Sequence, residues 1–508
     1  METKKSITGL SLLISFVMIA CLQGYALQAG AQEVVYPTGN PVFDRANVQG
    51  AVDTVAAGGT VILKATNVDG SLTPFDFGVP TIWTNPLLST YDPWRVLITK
   101  DVKIIGEKDN EGNPLTKIIG GVWSFYSPLS ASYPAPDITI EGIHFDRAIY
   151  APIMIRYASG LKIVGNRITD VHPFPTSSFF QDRIVPSTTY RLRIQLGISV
   201  GLLFGVTVPY FPGALTGIIE VSDNMLDLSI DSTVYPPFPS AIGPHTPRNT
   251  FGEAIFAGFA TGASIVISEN YVINCSRNQI EVFDNYLGTD GQGSVLIEGN
   301  TVMTPKDGIA YPSKFCPNGI IAGWVLNPPA SNDPTKNPKY TISHNYVENK
   351  STRQGTGIFA LSDGAVMEKN EVVVTGNSTN PGGANGLPLN IGISIASDNC
   401  YGGENRIAGE GQYAMCFFPL NQYQTASNNV CVGNNIEGFN PNEVSAHLYF
   451  PQGANNNTVV GGSGTVIDLG TNNTFKGGYW DHLTGSHLTT PGGVGDERSN
   501  IKDWWDLP

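Results

Sequence analysis

The chain has 508 residues, a formal net charge of −14 and a sequence pI near 4.9. Nucleic acids and anionic membrane surfaces bind clustered Lys and Arg, so this acidic balance argues against either as the main partner. Only 14% of the residues are charged while Gly (57) and Pro (35) are abundant, which is typical of an all-β chain with many turns.

The N-terminal segment predicts export. A charged stretch, Met1–Lys5, precedes the apolar run Leu10–Ala20, which is too short to span a bilayer and is typical of a secretory signal. Cleavage after Ala31 is one interpretation. The other is a bacterial lipobox at Met18–Cys21, with Met in place of Leu, which would attach a lipid to Cys21. No later segment is long and apolar enough for a transmembrane span, so we expect a secreted, periplasmic or cell-surface protein.

A helix and a strand are predicted at the start of the mature chain. Apolar residues recur at helical spacing from Val48 to Val55, and Gly58 ends the pattern, which places the helix near residues 47–57. The segment Thr60–Leu63 then has the composition of a first strand. The open end of a stacked fold would expose its core, so we expect this helix to cap it.

A short aliphatic strand that ends in asparagine recurs along the rest of the chain. The copies end at Asn166, Asn224, Asn270, Asn300, Asn345, Asn370, Asn405, Asn434, Asn457 and Asn473. Apolar residues alternate within each copy, which indicates a strand, and one such strand cannot bury its apolar face alone. The copies must therefore stack as parallel strands in coils of about 20 to 25 residues, with insertions confined to loops.

The repeated asparagine has two explanations. Side-chain amides aligned in adjacent coils can hydrogen-bond to one another as a ladder. Asparagine also tolerates the left-handed backbone of a tight turn, so it could simply mark surface turns. The stacked architecture follows from either explanation.

Three early segments, Phe43–Leu63, Trp94–Gly106 and Asp137–Phe145, resemble the entry helix and first coils of the pectin-lyase-like right-handed parallel β-helix superfamily. The repeat pattern extends this resemblance over roughly residues 40 to 480. It implies an all-β, single-stranded right-handed parallel β-helix (a solenoid) of about ten to twelve coils with an N-terminal capping helix. We therefore predict a removed signal at 1–31, one β-helix domain at 32–490 and a C-terminal tail at 491–508.

Four insertions rich in proline and aromatic residues interrupt the repeat. They lie near residues 72–94, 172–193, 235–251 and 305–340. Loops that leave consecutive coils of a solenoid rise from one region of its surface, so we expect these insertions to wall a groove.

The resemblance implies action on extracellular polysaccharides, commonly uronic-acid polymers. A lyase would use Arg or Ca²⁺ to neutralise the uronate carboxylate and a base to remove the adjacent proton. The residues that suit these tasks lie in two neighbouring insertions: His172, Arg183, Tyr190, Arg191 and Arg193 in one, and His245 and Arg248 in the next. A planar guanidinium pairs well with a carboxylate, although the same arginines could pin their loops to nearby acids. The metal is left open, and Ca²⁺ is compatible with this chemistry.

Two other functions remain open beside an acidic-glycan lyase. A glycoside hydrolase needs two carboxylates across the scissile bond. Its candidates are Asp170, Asp182, Asp231, Glu253, Asp284 and Asp307. A non-catalytic β-helix that binds glycan, or serves as a structural surface protein, is the second alternative. The motifs expected of polygalacturonases, pectate lyases and alginate epimerases are not present in full, and we expect a monomer.

Five cysteines follow the N-terminal segment, which is an odd number in a compartment where disulfides can form. They are Cys275, Cys316, Cys400, Cys416 and Cys431. A Cys416–Cys431 bridge and buried thiols are both compatible with the spacing.

Overall fold

In a computed structural model of the chain, nearly all regular elements are β-strands. The structure describes residues 31–80, 89–130, 132–172, 174–175, 193–201, 214–229, 250–275, 277–283, 285–288, 290–305, 318–323, 338–350, 355–375, 390–418, 425–439 and 446–483. Over these ranges one α-helix spans Pro41–Thr54 and one 3₁₀ helix spans Ser89–Trp94.

The strands form three sheets, which the chain visits in the order sheet 1, sheet 2, sheet 3. Sheet 1 contains Gln32–Val35, Gly59–Leu63, Val102–Gly106, Asp137–Glu141, Gly160–Val164, Ile218–Ser222, Ser264–Ser268, Ser294–Glu298, Lys339–Ser343, Val366–Glu368, Tyr401–Gly403, Val430–Val432, Thr458–Val460 and Thr474–Lys476. Sheet 2 contains Phe75–Asp76, Thr116–Ile119, Ile143–Asp146, Arg167–Thr169, Met225–Asp227, Tyr271–Ile273, Thr301–Met303, Tyr346–Asn349, Glu371–Val374, Arg406–Gly409 and Asn435–Gly438. Sheet 3 contains Val96–Leu97, Phe125–Ser127, Ile153–Ile155, Phe174–Pro175, Arg193–Val200, Thr250–Gly258, Asn278–Phe283, Asn318–Gly323, Gly355–Leu361, Asn390–Ile395, Tyr413–Phe417, Ala446–Phe450, Ser463–Asp468 and Tyr479–His482.

Pairing within the sheets is parallel, apart from Phe174–Pro175, which runs antiparallel to Arg193–Val200. Each circuit through the three sheets returns the chain one coil further along, so neighbours in a sheet are equivalent strands of successive coils. The predicted right-handed parallel β-helix is therefore confirmed, and with it the resemblance to the pectin-lyase-like architecture at the level of fold. In the described residues sheet 2 has eleven strands, while sheets 1 and 3 extend beyond it.

The core consists of stacked aliphatic side chains at equivalent positions of successive coils. On sheet 1, Ile163, Val221, Ile267 and Ile297 are ladder neighbours and all are fully buried. Burial of each such side chain stabilises the fold by about 1.5–3 kcal/mol. The period-2 pattern of the repeat thus places one residue in two inside the solenoid.

The N-terminal helix covers the first coil, as predicted, with different boundaries. It begins at Pro41 rather than Asn47 and ends at Thr54 rather than Ala57. Asn40 caps the helix by accepting a hydrogen bond from the Val42 amide, and Pro41 suits the first helical position, where no amide donor is needed. The apolar spacing marked only the face that enters the core, so it missed this start.

A ladder of asparagines runs along the corner between sheets 1 and 2. Its members are Asn166, Asn224, Asn270, Asn300, Asn345, Asn370, Asn405 and Asn434. In a typical rung, Asn270 Nδ2 donates to Asn300 Oδ1 over 3.0 Å and to the Val221 carbonyl of the preceding coil over 2.9 Å. The predicted ladder is confirmed for these eight residues.

Two details of the asparagine prediction were wrong. Asn457 and Asn473 lie at a different corner, where the chain enters sheet 1, and they continue a second series that starts at Asn429. The left-handed backbone at the first corner belongs to the residue before each asparagine, for example Glu269 (φ 54°) and His344 (φ 55°). Asparagine is therefore used at this corner for its amide and not for its backbone freedom.

All four predicted insertions enter or leave sheet 3. Three of them contain a whole strand: 305–340 includes Asn318–Gly323, 172–193 includes Phe174–Pro175, and 72–94 includes Phe75–Asp76 followed by the 3₁₀ helix. The turns between sheets 1 and 2 are short in most coils, because the asparagine ladder closes them. Sheet 3 is thus the sheet to which the insertions connect: all four enter it, and 305–340 also leaves it.

The described cysteines Cys275, Cys400, Cys416 and Cys431 are buried thiols, so the Cys416–Cys431 bridge is not formed. Cys431 points into the core from sheet 1, whereas Cys416 lies on the outer side of sheet 3. Cys316 lies outside the described residues. Across the described ranges, no helix has the length and apolar character needed to cross a membrane.

Candidate functional site

The outer face of sheet 3 carries buried polar residues, which is unusual for the outside of a solenoid. Ile280 and Val282 pack in the core, so Glu281 between them points outward. Ala254 and Ile255 both pack in the core, which breaks the strand alternation and keeps Glu253 on the outer side as well. Both glutamates are nevertheless almost completely buried.

Glu253 and Glu281 form a compact cluster with Arg277 and Asn278. Arg277 Nη1 lies 2.9 Å from Glu253 Oε1 and 3.3 Å from Glu281 Oε2. Asn278 Nδ2 donates a short hydrogen bond to Glu281 Oε2, and Asn278 is the ladder neighbour of Glu253. One guanidinium therefore serves two carboxylates that adjacent coils bring together.

The pKa of Glu253 is well above its ordinary value. Burial is the main cause because it disfavours the charged form, and the negative charge of Glu281 adds to it. Arg277 opposes the shift by pairing with the charged form. Two close carboxylates with one counter-charge favour a state in which Glu253 holds a proton.

A chain of hydrogen bonds fixes the orientation of Asn278. The backbone amide of Thr356 donates to Asn318 Oδ1 over 3.0 Å, so the Asn318 amino group faces the other way. Asn318 Nδ2 then donates to Asn278 Oδ1 over 2.9 Å, which turns the Asn278 amino group towards Glu281. Because a backbone N–H can only donate, it fixes both amide orientations.

Aromatic residues and a paired arginine continue this face towards the N-terminus. The Arg95 guanidinium lies 4.7 Å from the ring centroid of Tyr126 and 5.6 Å from that of Trp123. Arg95 also pairs with Asp92 over 2.6 Å. Trp123 and Tyr150 are fully buried, with ring centroids 5.6 Å apart. These rings stabilise the outer side of the sheet by packing against one another.

Of the lyase candidates, one side chain is described. His172 is fully buried, and its Nε2 lies 3.1 Å from Asp170 Oδ1. Arg193 begins a sheet 3 strand and is paired with Pro175 and Thr250, but its side chain lies outside the description. The other candidates also lie outside the described residues: Arg183, Tyr190, Arg191, His245 and Arg248. Their convergence on one groove stays a prediction.

Of the hydrolase candidates, Glu253 belongs to the buried cluster and Asp170 pairs with His172. Asp182, Asp231, Asp284 and Asp307 lie outside the described residues. Sequence reasoning missed Arg277, Asn278 and Glu281. The available signal was a glutamate between two branched aliphatic residues, which predicts an outward side chain but not a buried one. No group of three or more His, Cys, Asp or Glu side chains that could hold a metal occurs in the described residues.

Comparisons with known proteins find structural neighbours only. No protein-family model matches the chain, and no curated protein matches it. An alginate lyase from Paenibacillus sp. aligns at 10% identity over 89% of this chain and 97% of its own, with a TM-score of 0.30. A DFA-IIIase from Arthrobacter chlorophenolicus A6 aligns at 11% identity over 90% and 89%, with a TM-score of 0.35. The periplasmic alginate epimerase AlgG aligns at 10% identity over 89% and 84%, with a TM-score of 0.25. Likeness at this level carries no argument about activity.

Proposed function

We propose that this chain is a carbohydrate-active enzyme that cleaves glycosidic bonds at Glu253 and Glu281. The observation that carries the proposal is a buried pair of carboxylates, bridged by Arg277, on the face that the insertions flank. Burying two like charges is costly, and such pairs are typical of sites where proton affinity is tuned for catalysis. A purely structural pairing would be better served by a single carboxylate for the single guanidinium.

The two glutamates suit the two roles that glycosidic cleavage requires. A general acid must protonate the leaving oxygen, and the raised pKa of Glu253 favours the protonated form that this role needs. A second carboxylate must stabilise the glycosyl group as the bond breaks, and Glu281 lies beside Glu253 for this, held by Asn278 and Arg277. Oε2 of Glu253 and Oε1 of Glu281 are both buried and receive no hydrogen bond from a donor group of the described residues, which fits a proton shared between the two carboxylates.

Elimination from an acidic glycan remains the alternative reaction. It would rest on Arg183, Arg191, Arg193 and His245, and a requirement for Ca²⁺ would belong to it. Hydrolysis is preferred because the two carboxylates that it needs already meet.

The reaction is tested on pectate, alginate, glycosaminoglycans and neutral glucans, each with and without Ca²⁺. We expect new reducing ends without absorbance from an unsaturated product. Glu253→Gln and Glu281→Gln should each lower the rate by about a hundredfold or more, since a positioned acid or base contributes about 10²–10⁴. Glu33→Gln is the matched control, because Glu33 is exposed on the first strand of sheet 1.

The possible outcomes separate the three functions. Unsaturated products would contradict hydrolysis and restore elimination as the preferred reaction. Glycan binding without any product would favour the non-catalytic alternative. Full activity in both glutamine variants would remove these glutamates from the mechanism whatever the product.

Action on an extracellular polymer requires export of the chain. We propose cleavage after Ala31, with lipidation at Cys21 as the alternative, and a monomeric mature protein. N-terminal sequencing and mass spectrometry of the exported protein distinguish the two processed forms. Light scattering on a size-exclusion column checks the monomer.

A further inference from the structure

Arg156 is a buried arginine on the outer side of sheet 3. It follows the strand Ile153–Ile155, whose isoleucines point into the core, and it is only 6% exposed. Its Nη1 lies 3.5 Å from the hydroxyl of Tyr126, and its Nε has no hydrogen-bond acceptor among the described residues. No carboxylate of the described residues lies within 4 Å of this guanidinium, since Arg156 takes part in no ion pair there.

Two other described arginines of this face, Arg95 and Arg277, are paired with carboxylates. Arg95 pairs with Asp92 over 2.6 Å, and Arg277 pairs with Glu253 over 2.9 Å. A guanidinium stays charged at any physiological pH, so Arg156 cannot avoid the cost of burial by losing its proton. A buried charge is normally paired, and since no carboxylate of the described residues pairs with Arg156, this guanidinium is suited to an anion that binds from outside.

Arg156 also lies near the glutamate cluster. Tyr150 is fully buried, and its pKa is raised by burial first and then by the charge of Glu253, while Arg156 opposes the shift. The Tyr150 hydroxyl is therefore within electrostatic reach of both groups. Arg156 comes from the strand before the Arg193–Val200 strand, and Glu253 from the strand after it. The two residues are thus two coils apart, about 10 Å along the axis, and the strand register places Arg156 level with Gly258, five residues beyond Glu253.

We infer that the Arg156 guanidinium is a binding subsite for one anionic group of the glycan, a carboxylate or a sulfate ester. A planar fork of donors suits both groups, and Tyr126 can add a hydroxyl donor beside it. The inference rests on the proposed function for the identity of the ligand as a glycan. It places an acidic sugar about two coils from the bond that Glu253 would protonate.

Affinity electrophoresis measures this subsite directly. Retardation is compared in gels that contain pectate, carboxyl-reduced pectate, dextran sulfate or dextran, so that the arms separate carboxylate, sulfate and neutral polymers. We expect the wild type to bind at least one charged polymer more tightly than its neutral counterpart. Arg156→Gln should lower that affinity about tenfold and leave neutral binding unchanged. Arg156→Lys should recover part of it, since the charge returns without the planar fork.

Arg167→Gln is the matched control, because it removes one positive charge from an exposed position on sheet 2. Equal affinity of the Arg156→Gln and Arg167→Gln proteins for the charged polymers would overturn the inference, as would a wild type that shows no preference for charged polymers. Thermal melting shows whether Arg156→Gln is folded, and Arg156→Lys is used for the comparison if it is not. Loss of affinity in the Arg156 variants without cleavage by the wild type would support the subsite while contradicting the proposed reaction.

Discussion

Glu253 is the side chain of the candidate site whose burial is least favourable in its charged form. It is fully buried beside another carboxylate, and its pKa is raised well above the ordinary value for that reason. Glu253 was one of six acidic residues proposed from the sequence as hydrolase candidates. The sequence could not distinguish it from the other five, because its environment depends on Glu281, which lies on the strand of the next coil. His172 shows the opposite case: it was a candidate base by residue type, and it is fully buried beside Asp170.

The raised pKa of Glu253 predicts a specific dependence of stability on pH. Below about pH 4.3, the ordinary value for glutamate, the side chain is protonated in both the folded and the unfolded chain. As the pH rises through that value, only the unfolded chain releases the proton, so the folded state loses stability until the pH reaches the raised pKa. Glutamine cannot titrate, so Glu253→Gln should be more stable relative to wild type at about pH 7 than at about pH 4.

Melting temperatures of both proteins across this range measure the effect. Glu33→Gln serves as the control, because Glu33 is exposed on the first strand of sheet 1. A constant difference between wild type and Glu253→Gln at all pH values would contradict the raised pKa.

At the scale of the element, the asparagine corner explains why the fold could be predicted. The strand pattern and the asparagine recur locally, and each asparagine meets the next whatever insertion lies between them. Asn166 and Asn224 are 58 residues apart in sequence and still bond over 3.0 Å. The sequence could not show which corner an asparagine occupies, so Asn457 and Asn473 were placed in the wrong series.

One rung of this ladder can be removed to measure its contribution. Asn300 is fully buried, donates to Asn345 and the Ile267 carbonyl, and accepts from Asn270. Asn300→Ala should lower the free energy of unfolding by about 2–4 kcal/mol, because buried donors and an acceptor lose their hydrogen bonds. A urea titration measures this change.

Asn435→Ala is the matched control for that substitution. Asn435 is exposed on sheet 2, and its side chain donates to Glu437. We expect a change within about 0.5 kcal/mol. Equal effects of the two substitutions would show that the ladder contributes no more than an ordinary surface contact.

At the scale of the whole molecule, the candidate site lies on sheet 3, the sheet that the four insertions enter. The sequence located the insertions, but it could not say that all four flank sheet 3 or that outward residues there become buried. The sheet that an insertion joins and the burial of an outward residue both depend on how the three sheets follow one another around a coil. A local sequence pattern does not contain that information. The fold was therefore predictable, whereas the carboxylate pair was not.

The capping helix protects one end of the solenoid, which predicts a local effect when it is disrupted. Val48 is fully buried against the first coil, whereas Val42 on the same helix is 72% exposed. Val48→Asp buries an unpaired charge and should release the helix and first coils, while Val42→Asp should be nearly neutral. Contacts in a solenoid join neighbouring coils only, so the loss should not reach the C-terminal coils.

Hydrogen exchange measured along the chain tests this expectation. Protection should fall in the first strands of all three sheets in Val48→Asp and stay unchanged beyond the glutamate cluster. Uniform loss of protection over the whole chain would instead show that the solenoid unfolds as one cooperative unit.

The ladder also makes the length of this molecule adjustable. Each asparagine accepts a hydrogen bond from the asparagine before it and donates one to the asparagine after it, so successive coils are connected by the same bond at every rung. Duplicating residues 346–370, beyond the glutamate cluster, would insert one full coil whose new asparagine bonds to both neighbours. Because these connections are equivalent, whole coils can be added or removed on the C-terminal side of the glutamate cluster. The two coils that carry Glu253 and Glu281 then keep their spacing.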